Sequence, residues 1–92
     1  MIQKSKGHHF LTEAWLDELT VKESLREGKS TDQLDTEILS NVAKALEAGL
    51  STPEEAGAHF LSGCVLLRRN RLPESKTEIN KALQLDPSLG NS

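Results

Sequence analysis

The sequence predicts an all-α fold of four helices arranged as two antiparallel helical hairpins. Apolar residues recur three and four positions apart between chain breakers, and no segment alternates apolar and polar residues as a half-buried strand does. Short connections between such helices favour antiparallel neighbours. One helical domain is predicted over residues 8–87, with flexible termini at 1–7 and 88–92. The breakers at the segment ends are Gly28, Gly49, Pro53, Pro73 and Pro87.

The first two helices form the first predicted hairpin. The first is expected over residues 10–27 and ends at Gly28, because glycine readily adopts the left-handed conformation that ends many helices. Its apolar stripe is Leu11, Trp15 and Leu19, widened by Ala14, Leu16, Val21 and Leu25. The second helix is expected to start at a capping box of Ser30 and Gln33. Its predicted buried face is Leu34, Ile38, Val42, Ala45 and Leu46.

The last two helices form the second predicted hairpin. The third is expected over residues 53–70, with Thr52 as its N-cap and Glu55 completing a capping box. It is apolar nearly all round, so it is either buried on every side or carries a face for a partner. The fourth opens with Pro73 in its first turn and stops before Pro87.

Composition excludes several classes of function. The 92 residues carry 11 Lys plus Arg against 14 Asp plus Glu, a net charge of −3, so no nucleic-acid partner is predicted. The longest uncharged run, residues 56–67, is shorter than the roughly 20 apolar residues of a membrane span. The N-terminus lacks the apolar stretch of a signal peptide, and a single cysteine fits a reducing compartment. We therefore expect a cytoplasmic protein without a membrane partner.

The second hairpin resembles a known repeat. Residues 56–87 are similar to one tetratricopeptide repeat (TPR), a helix–turn–helix unit of about 34 residues. Gly63 matches the small residue where the two helices of a repeat cross, and Leu85-Asp86-Pro87 resembles the usual closing run. The other matching positions are Leu66, Leu72, Ser75, Ile79 and Ala82. The departures are His59, Ser62 and Asn70, which stand where tryptophan, leucine and glycine are common.

The first hairpin is similar to a degenerate repeat with a longer turn. In that assignment Ile38, Val42 and Ala45 take the positions of Ser75, Ile79 and Ala82. Repeat arrays usually need about three units to bury their apolar faces, and this chain has at most two. We therefore expect a partner or self-association to complete the core.

The resemblance implies a binding groove on the third helix. The inner helix of each TPR hairpin lines a concave groove, and the matching residues of this chain are Gly57, Phe60, Cys64, Leu67 and Arg68. The carboxylate clamp of some TPR domains needs Lys and Asn where this chain has Phe60 and Cys64, so no clamp is expected. An apolar groove suits an amphipathic helix. The alternative is that the N-terminal helix or a second copy covers these residues.

The predicted function is therefore protein binding. We expect a protein–protein interaction module that binds a helical or extended segment of a partner, with a small dedicated chaperone or adaptor as one form of it. The alternative is a structural subunit whose apolar helix faces are buried in a homodimer or larger homo-oligomer. No catalytic constellation and no cofactor motif is visible in the sequence, so no enzyme activity and no cofactor is predicted.

Three further groups of residues were weighed as sites. His8, His9 and Glu13 make a poor metal site, because they lie near a chain end without a cysteine partner, and no metal is predicted. The run 68–71 holds three arginines, which complement the dipole at a helix C-terminus or form an anionic-partner surface. Cys64 lies in the most apolar helix, where no Lys, His or helix N-terminus is expected to lower the pKa of its thiol, which favours a buried structural thiol.

Overall fold

The computed structural model describes residues 5–90 and contains four α-helices. No strand occurs among these residues, so the predicted all-α class is confirmed. None of the described helices is both long enough and apolar enough to cross a membrane. The helices are α1 (His8–Arg26), α2 (Asp32–Ala48), α3 (Thr52–Arg68) and α4 (Leu72–Leu85), followed by a short 3-10 helix (Pro87–Gly90).

The helices pack as two hairpins that share one interface. α1 packs along α2 and α3 packs along α4, as expected for helices joined by short turns. The hairpins meet chiefly through α2 and α3, with a smaller contact between α1 and α3. Within the described residues, α4 contacts only α3 and the 3-10 helix. α3 is therefore the central helix of the fold.

The main core lies between α1, α2 and α3. The predicted face of α2 is confirmed: Ile38, Val42 and Ala45 are buried, with Leu34 and Leu46 partly buried around them. α3 contributes one face to the same cluster, which consists of Ala58, Leu61 and Val65.

The predicted stripe of α1 is only partly correct. Three of its residues are buried as predicted, namely Leu11, Ala14 and Val21. The others are 40–61% exposed, namely Trp15, Leu16, Leu19 and Leu25. The buried side of α1 also includes Glu18, and its small Ala14 and Val21 allow α2 to pack closely.

Two predicted helix starts are displaced by one or two residues. α2 begins at Asp32 after Thr31, and the expected Ser30–Gln33 box does not form. At α3 the N-cap is Ser51, whose backbone N–H and hydroxyl both donate to Glu54 Oε1, at 3.1 and 2.9 Å. The expected box of Thr52 and Glu55 is therefore wrong by one position. In the observed register Pro53 still lies in the first turn, where its missing N–H costs no helical hydrogen bond.

The segment before α1 is packed against the rest of the fold. Gly7 is buried, and its N–H donates to the carbonyl of Gly49 at 2.8 Å. A Cβ at this position would overlap the carbonyl oxygen of Ala45. Nδ1 of His8 lies 2.8 Å from Oε2 of Glu54 and links the start of α1 to the start of α3. The sequence predicted a flexible terminus over residues 1–7; residues 1–4 of it lie outside the described part of the chain.

α3 and α4 approach closely at Gly63, as its small size indicates. A Cβ at Gly63 would lie 2.5 Å from Cγ1 of Ile79, closer than side-chain carbons approach. The hydroxyl of Ser75 donates to the Gly63 carbonyl at 2.7 Å. Asn70 follows α3 with φ of 63°, a left-handed conformation that asparagine tolerates better than most residues. The close crossing of α3 and α4 therefore depends on the small side chains of Gly63 and Ser75.

Gly63→Ala should destabilise the fold while Gly57→Ala should stabilise it. Both glycines lie inside α3, so each alanine gains about 1 kcal/mol of helix propensity. At Gly57 the new Cβ would meet only Trp15, at 3.6 Å. At Gly63 it would push against Ile79, and overpacking of this kind costs about 1–3 kcal/mol. Urea denaturation of the two variants measures the difference, and equal stabilisation by both would contradict the close approach.

Glu54 should make stability depend on acid pH. Hydrogen bonds from His8 and Ser51 lower the pKa of Glu54 to about 2 from its ordinary 4.5. This carboxylate therefore stabilises the fold fully above pH 4.5, and the contribution is lost as the pH falls toward 2. Glu54→Gln should flatten the loss of stability over that window by about 1 kcal/mol, a value reduced for its partial exposure. The matched control is Glu55→Gln, and equal pH profiles for the two variants would refute the role of Glu54.

Candidate functional site

The candidate site is one side of α3. Four of the five residues predicted from the sequence lie there, and they are called here the α3 face: Gly57, Phe60, Cys64 and Leu67. Ala58, Leu61 and Val65 point from another side of α3 into the core with α1 and α2. Gly63 contacts α4 from a third side. The α3 face lies between the side that meets α1 and the side that meets α4.

The α3 face is apolar and accessible. Phe60 and Cys64 are half-buried, and Leu67 is 54% exposed. On its α4 side the surface continues through Leu72, which is 53% exposed, to Ile79. Leu67, Leu72 and Ile79 line a shallow depression of about 320 Å³ together with polar residues of α4. Apolar side chains exposed next to one another in this way mark an interaction surface more often than scattered ones do.

α1 forms the opposite border of the α3 face. Contacts between α1 and α3 follow the same order along both helices, from His8–Glu54 through Trp15–Gly57 to Glu18–Arg68. The two helices therefore run in the same direction. Trp15 and Leu19 lie one turn apart on α1 and are both exposed. They add two large apolar side chains to the border of the α3 face.

Arg68, the fifth predicted residue, is held by carboxylates of two other helices. Its guanidinium donates to Glu18 Oε1 and Oε2 at 2.9 and 3.2 Å. It also donates twice to Asp35 Oδ1, at 3.0 and 2.6 Å. Glu18 and Asp35 are buried. Burial opposes the charge of Arg68, but the ion pairs outweigh it and raise the pKa of the guanidinium. Arg68 thus joins α3 to α1 and α2.

The neighbouring arginines are paired as well. Arg69 forms an ion pair with Asp32 and lies 3.8 Å from Asp35. Arg71 pairs with Glu74 at 2.7 Å. The basic run 68–71 therefore neutralises acids of the same chain, whereas the sequence indicated either a complement to the helix dipole or a surface for an anionic partner.

Cys64 lies in the middle of the α3 face. Burial, and then the nearby Glu18 carboxylate, raise the pKa of its thiol. A thiol with a raised pKa is a weak nucleophile at neutral pH, because only the thiolate reacts. The side chain therefore contributes apolar surface to the face. No group of three His, Cys, Asp or Glu residues within 5–90 is placed to hold a metal ion.

Glu18 and Asp35 were not identified from the sequence. Each lies among charged residues of an amphipathic helix, where carboxylates are usually solvated. Their partner Arg68 is 50 and 33 positions away, so no local pattern signals the pairing. One feature of the sequence does indicate their burial, because Glu18 lies three residues before the buried Val21 and Asp35 lies three residues before the buried Ile38.

Comparison of the chain with protein-family models, with curated proteins and with solved structures found no match. The function is therefore argued from the geometry of the α3 face.

Arg68→Met should destabilise the protein strongly. It leaves Glu18 buried without a partner charge and Asp35 with only Arg69, 3.8 Å away, which costs about 3 kcal/mol. Arg71→Met is the matched control, because its partner Glu74 is exposed and the loss should stay within about 1 kcal/mol. Adding Glu18→Gln and Asp35→Asn to Arg68→Met should recover part of the stability. Chemical denaturation measures all three, and an Arg68→Met effect no larger than the control would contradict the assignment.

Proposed function

We propose that this chain is a TPR-like protein-interaction module that binds a helical or extended segment of another protein on the α3 face. The observation that carries the proposal is the position of this face. α3 is the central helix, yet Phe60 and Leu67 remain accessible beside Trp15 of α1. A monomer gains nothing from exposing large apolar residues together, whereas a partner that covers them gains about 25 cal/mol for each Å² removed from water.

The resemblance to a TPR supports this proposal from a second direction. The small residues that the resemblance places at the helix crossing, Gly63 and Ser75, are in contact across α3 and α4. Four of the five residues that it assigns to the groove lie on the α3 face, and the fifth, Arg68, pairs with Glu18 and Asp35. Phe60 and Cys64 supply apolar surface where a carboxylate clamp would need cations and amides. The fitting ligand is therefore an apolar segment, and a small chaperone or adaptor of the cytoplasm is the form of function we favour.

A homo-oligomeric subunit is the second candidate. The observation in its favour is the continuation of the apolar surface onto α4, where Leu72 and Ile79 adjoin Leu67. A surface spanning two helices is wide enough to meet the same surface of a second copy around a two-fold axis. The two candidates differ in one property, because self-association depends on the concentration of this chain alone.

Charge placed on the α3 face should abolish partner binding without unfolding the protein. Phe60→Glu/Leu67→Glu puts two carboxylates on the face. The tagged wild type and the tagged variant are each used to capture proteins from an extract of the source cells. We expect a protein captured by the wild type to be missing from the variant's sample. Leu16→Glu/Leu89→Glu is the matched control, because it adds the same charge at exposed leucines outside the face. Helical circular dichroism checks that both variants fold.

The outcome separates the two candidate functions. A captured protein that is lost in Phe60→Glu/Leu67→Glu and kept in the control supports partner binding. Identical capture by both variants overturns it. Sedimentation of the wild type across a range of concentrations then tests the second candidate, because a homo-oligomer dissociates on dilution and the Phe60→Glu/Leu67→Glu variant should be monomeric throughout.

A further inference from the structure

Two cations border the α3 face, and a third lies one helical turn from one of them. Lys22 and Arg26 lie one turn apart on the last part of α1, and both are exposed. Lys22 is close enough to Cys64 to act on its thiol electrostatically. On the other border Lys76 of α4 lines the same depression as Leu67. The α3 face therefore has a cation on its α1 side and a cation on its α4 side.

These three cations have no acidic partner among residues 5–90, and the same holds there for Lys6 and Lys44. No carboxylate of that part of the chain lies within 4.0 Å of Lys22, Arg26 or Lys76. The cations that do have an acid within this distance are Lys29, Arg68, Arg69, Arg71 and Lys81.

An acid that lies close to Cys64 already has a cation partner. Glu18 acts electrostatically on the thiol of Cys64 and is engaged by Arg68. Other acids of α1 and α2 crowd together: burial, and then the carboxylates of Glu37 and Glu13, raise the pKa of Asp17. A chain with net charge −3 thus keeps cations without an acidic partner next to the α3 face.

The spacing of charge and apolar surface restricts what can cover the face. An extended segment that points one set of side chains into a surface points the neighbouring residues away from it. A helix presents polar residues along both flanks of its apolar stripe, where they can reach groups on either side. Opposite charges across such borders set orientation and suppress wrong partners.

We propose that the segment bound on the α3 face is an amphipathic helix whose apolar stripe is bordered on both flanks by aspartate or glutamate. Its apolar residues contact Phe60, Cys64 and Leu67. Its carboxylates pair with Lys22 and Arg26 along α1 and with Lys76 on α4. This inference rests on the proposed function and specifies the chemistry of the partner.

Two synthetic peptides test the inference. Each has about 18 residues and is about 27 Å long as a helix, close to the 25 Å width of the molecule. Both carry the same leucine stripe, flanked by glutamate in one and by lysine in the other. Fluorescence anisotropy of the labelled peptides at low salt measures both affinities. We expect the acidic peptide to bind the wild type at least about tenfold more tightly than the basic one.

Charge reversal at the border supplies the matched comparison. Lys22→Glu/Arg26→Glu/Lys76→Glu should abolish or reverse the preference for the acidic peptide. Lys29→Glu/Lys44→Glu/Lys81→Glu changes the net charge by the same amount at lysines outside the border and should keep the preference. Loss of the preference in both variants would assign it to net charge and overturn the inference.

The remaining outcomes separate this inference from the proposed function. Equal binding of both peptides, lost in Phe60→Glu/Leu67→Glu, overturns the charge requirement and leaves the binding face in place. If neither peptide binds, but the wild type captures a protein that Phe60→Glu/Leu67→Glu does not, the inference of an amphipathic helix is overturned and the proposed function is kept. Binding of neither peptide and no captured protein overturns both. A wild-type dimer that the border variant converts to a monomer assigns the face to a second copy and overturns the inference.

Discussion

The guanidinium of Arg68 is the interaction on which the arrangement of three helices depends. It reaches from the last turn of α3 to Glu18 on α1 and Asp35 on α2, with four hydrogen bonds between 2.6 and 3.2 Å. A displacement of α3 along either neighbour would leave buried charges without partners, which is far more costly than a shift between apolar surfaces. The ion cluster therefore fixes the register of α3, and with it the direction in which Phe60 and Leu67 point.

The sides of α3 are divided by the size of their residues. Ala58 and Gly63 allow close helix packing, on α1–α2 and on α4 respectively, while Leu61 and Val65 fill the core. Phe60 and Leu67 lie on the remaining side, where Phe60 is half-buried and Leu67 is 54% exposed. The apolar character of α3 all the way round is explained by this division, since two of its sides are needed for the fold and one is left accessible.

The sequence predicted the helices and their order because breakers and apolar spacing are local signals. It also predicted the buried face of α2 and the close approach at Gly63, where residue size alone is informative. It was only partly correct for α1, since Trp15 and Leu19 continue the helical pattern of the buried Leu11, Ala14 and Val21, and only tertiary packing selects between them. It failed for the start of α3, where Ser51 and Thr52 are chemically equivalent N-caps. The partners of Arg68 lie on other helices, which no local pattern reveals.

The restricted contacts of α4 have a consequence for how the molecule opens. Within residues 5–90, α4 packs on α3 alone and the 3-10 helix packs on α4, whereas α1, α2 and α3 are tied to one another by the core and the ion cluster. The hierarchy of amide hydrogen exchange follows from this: α4 can detach in a local opening that leaves the other three helices closed. Its amides then exchange at a lower free energy than those of α2, and Gly63 and Leu66 become transiently accessible when it does.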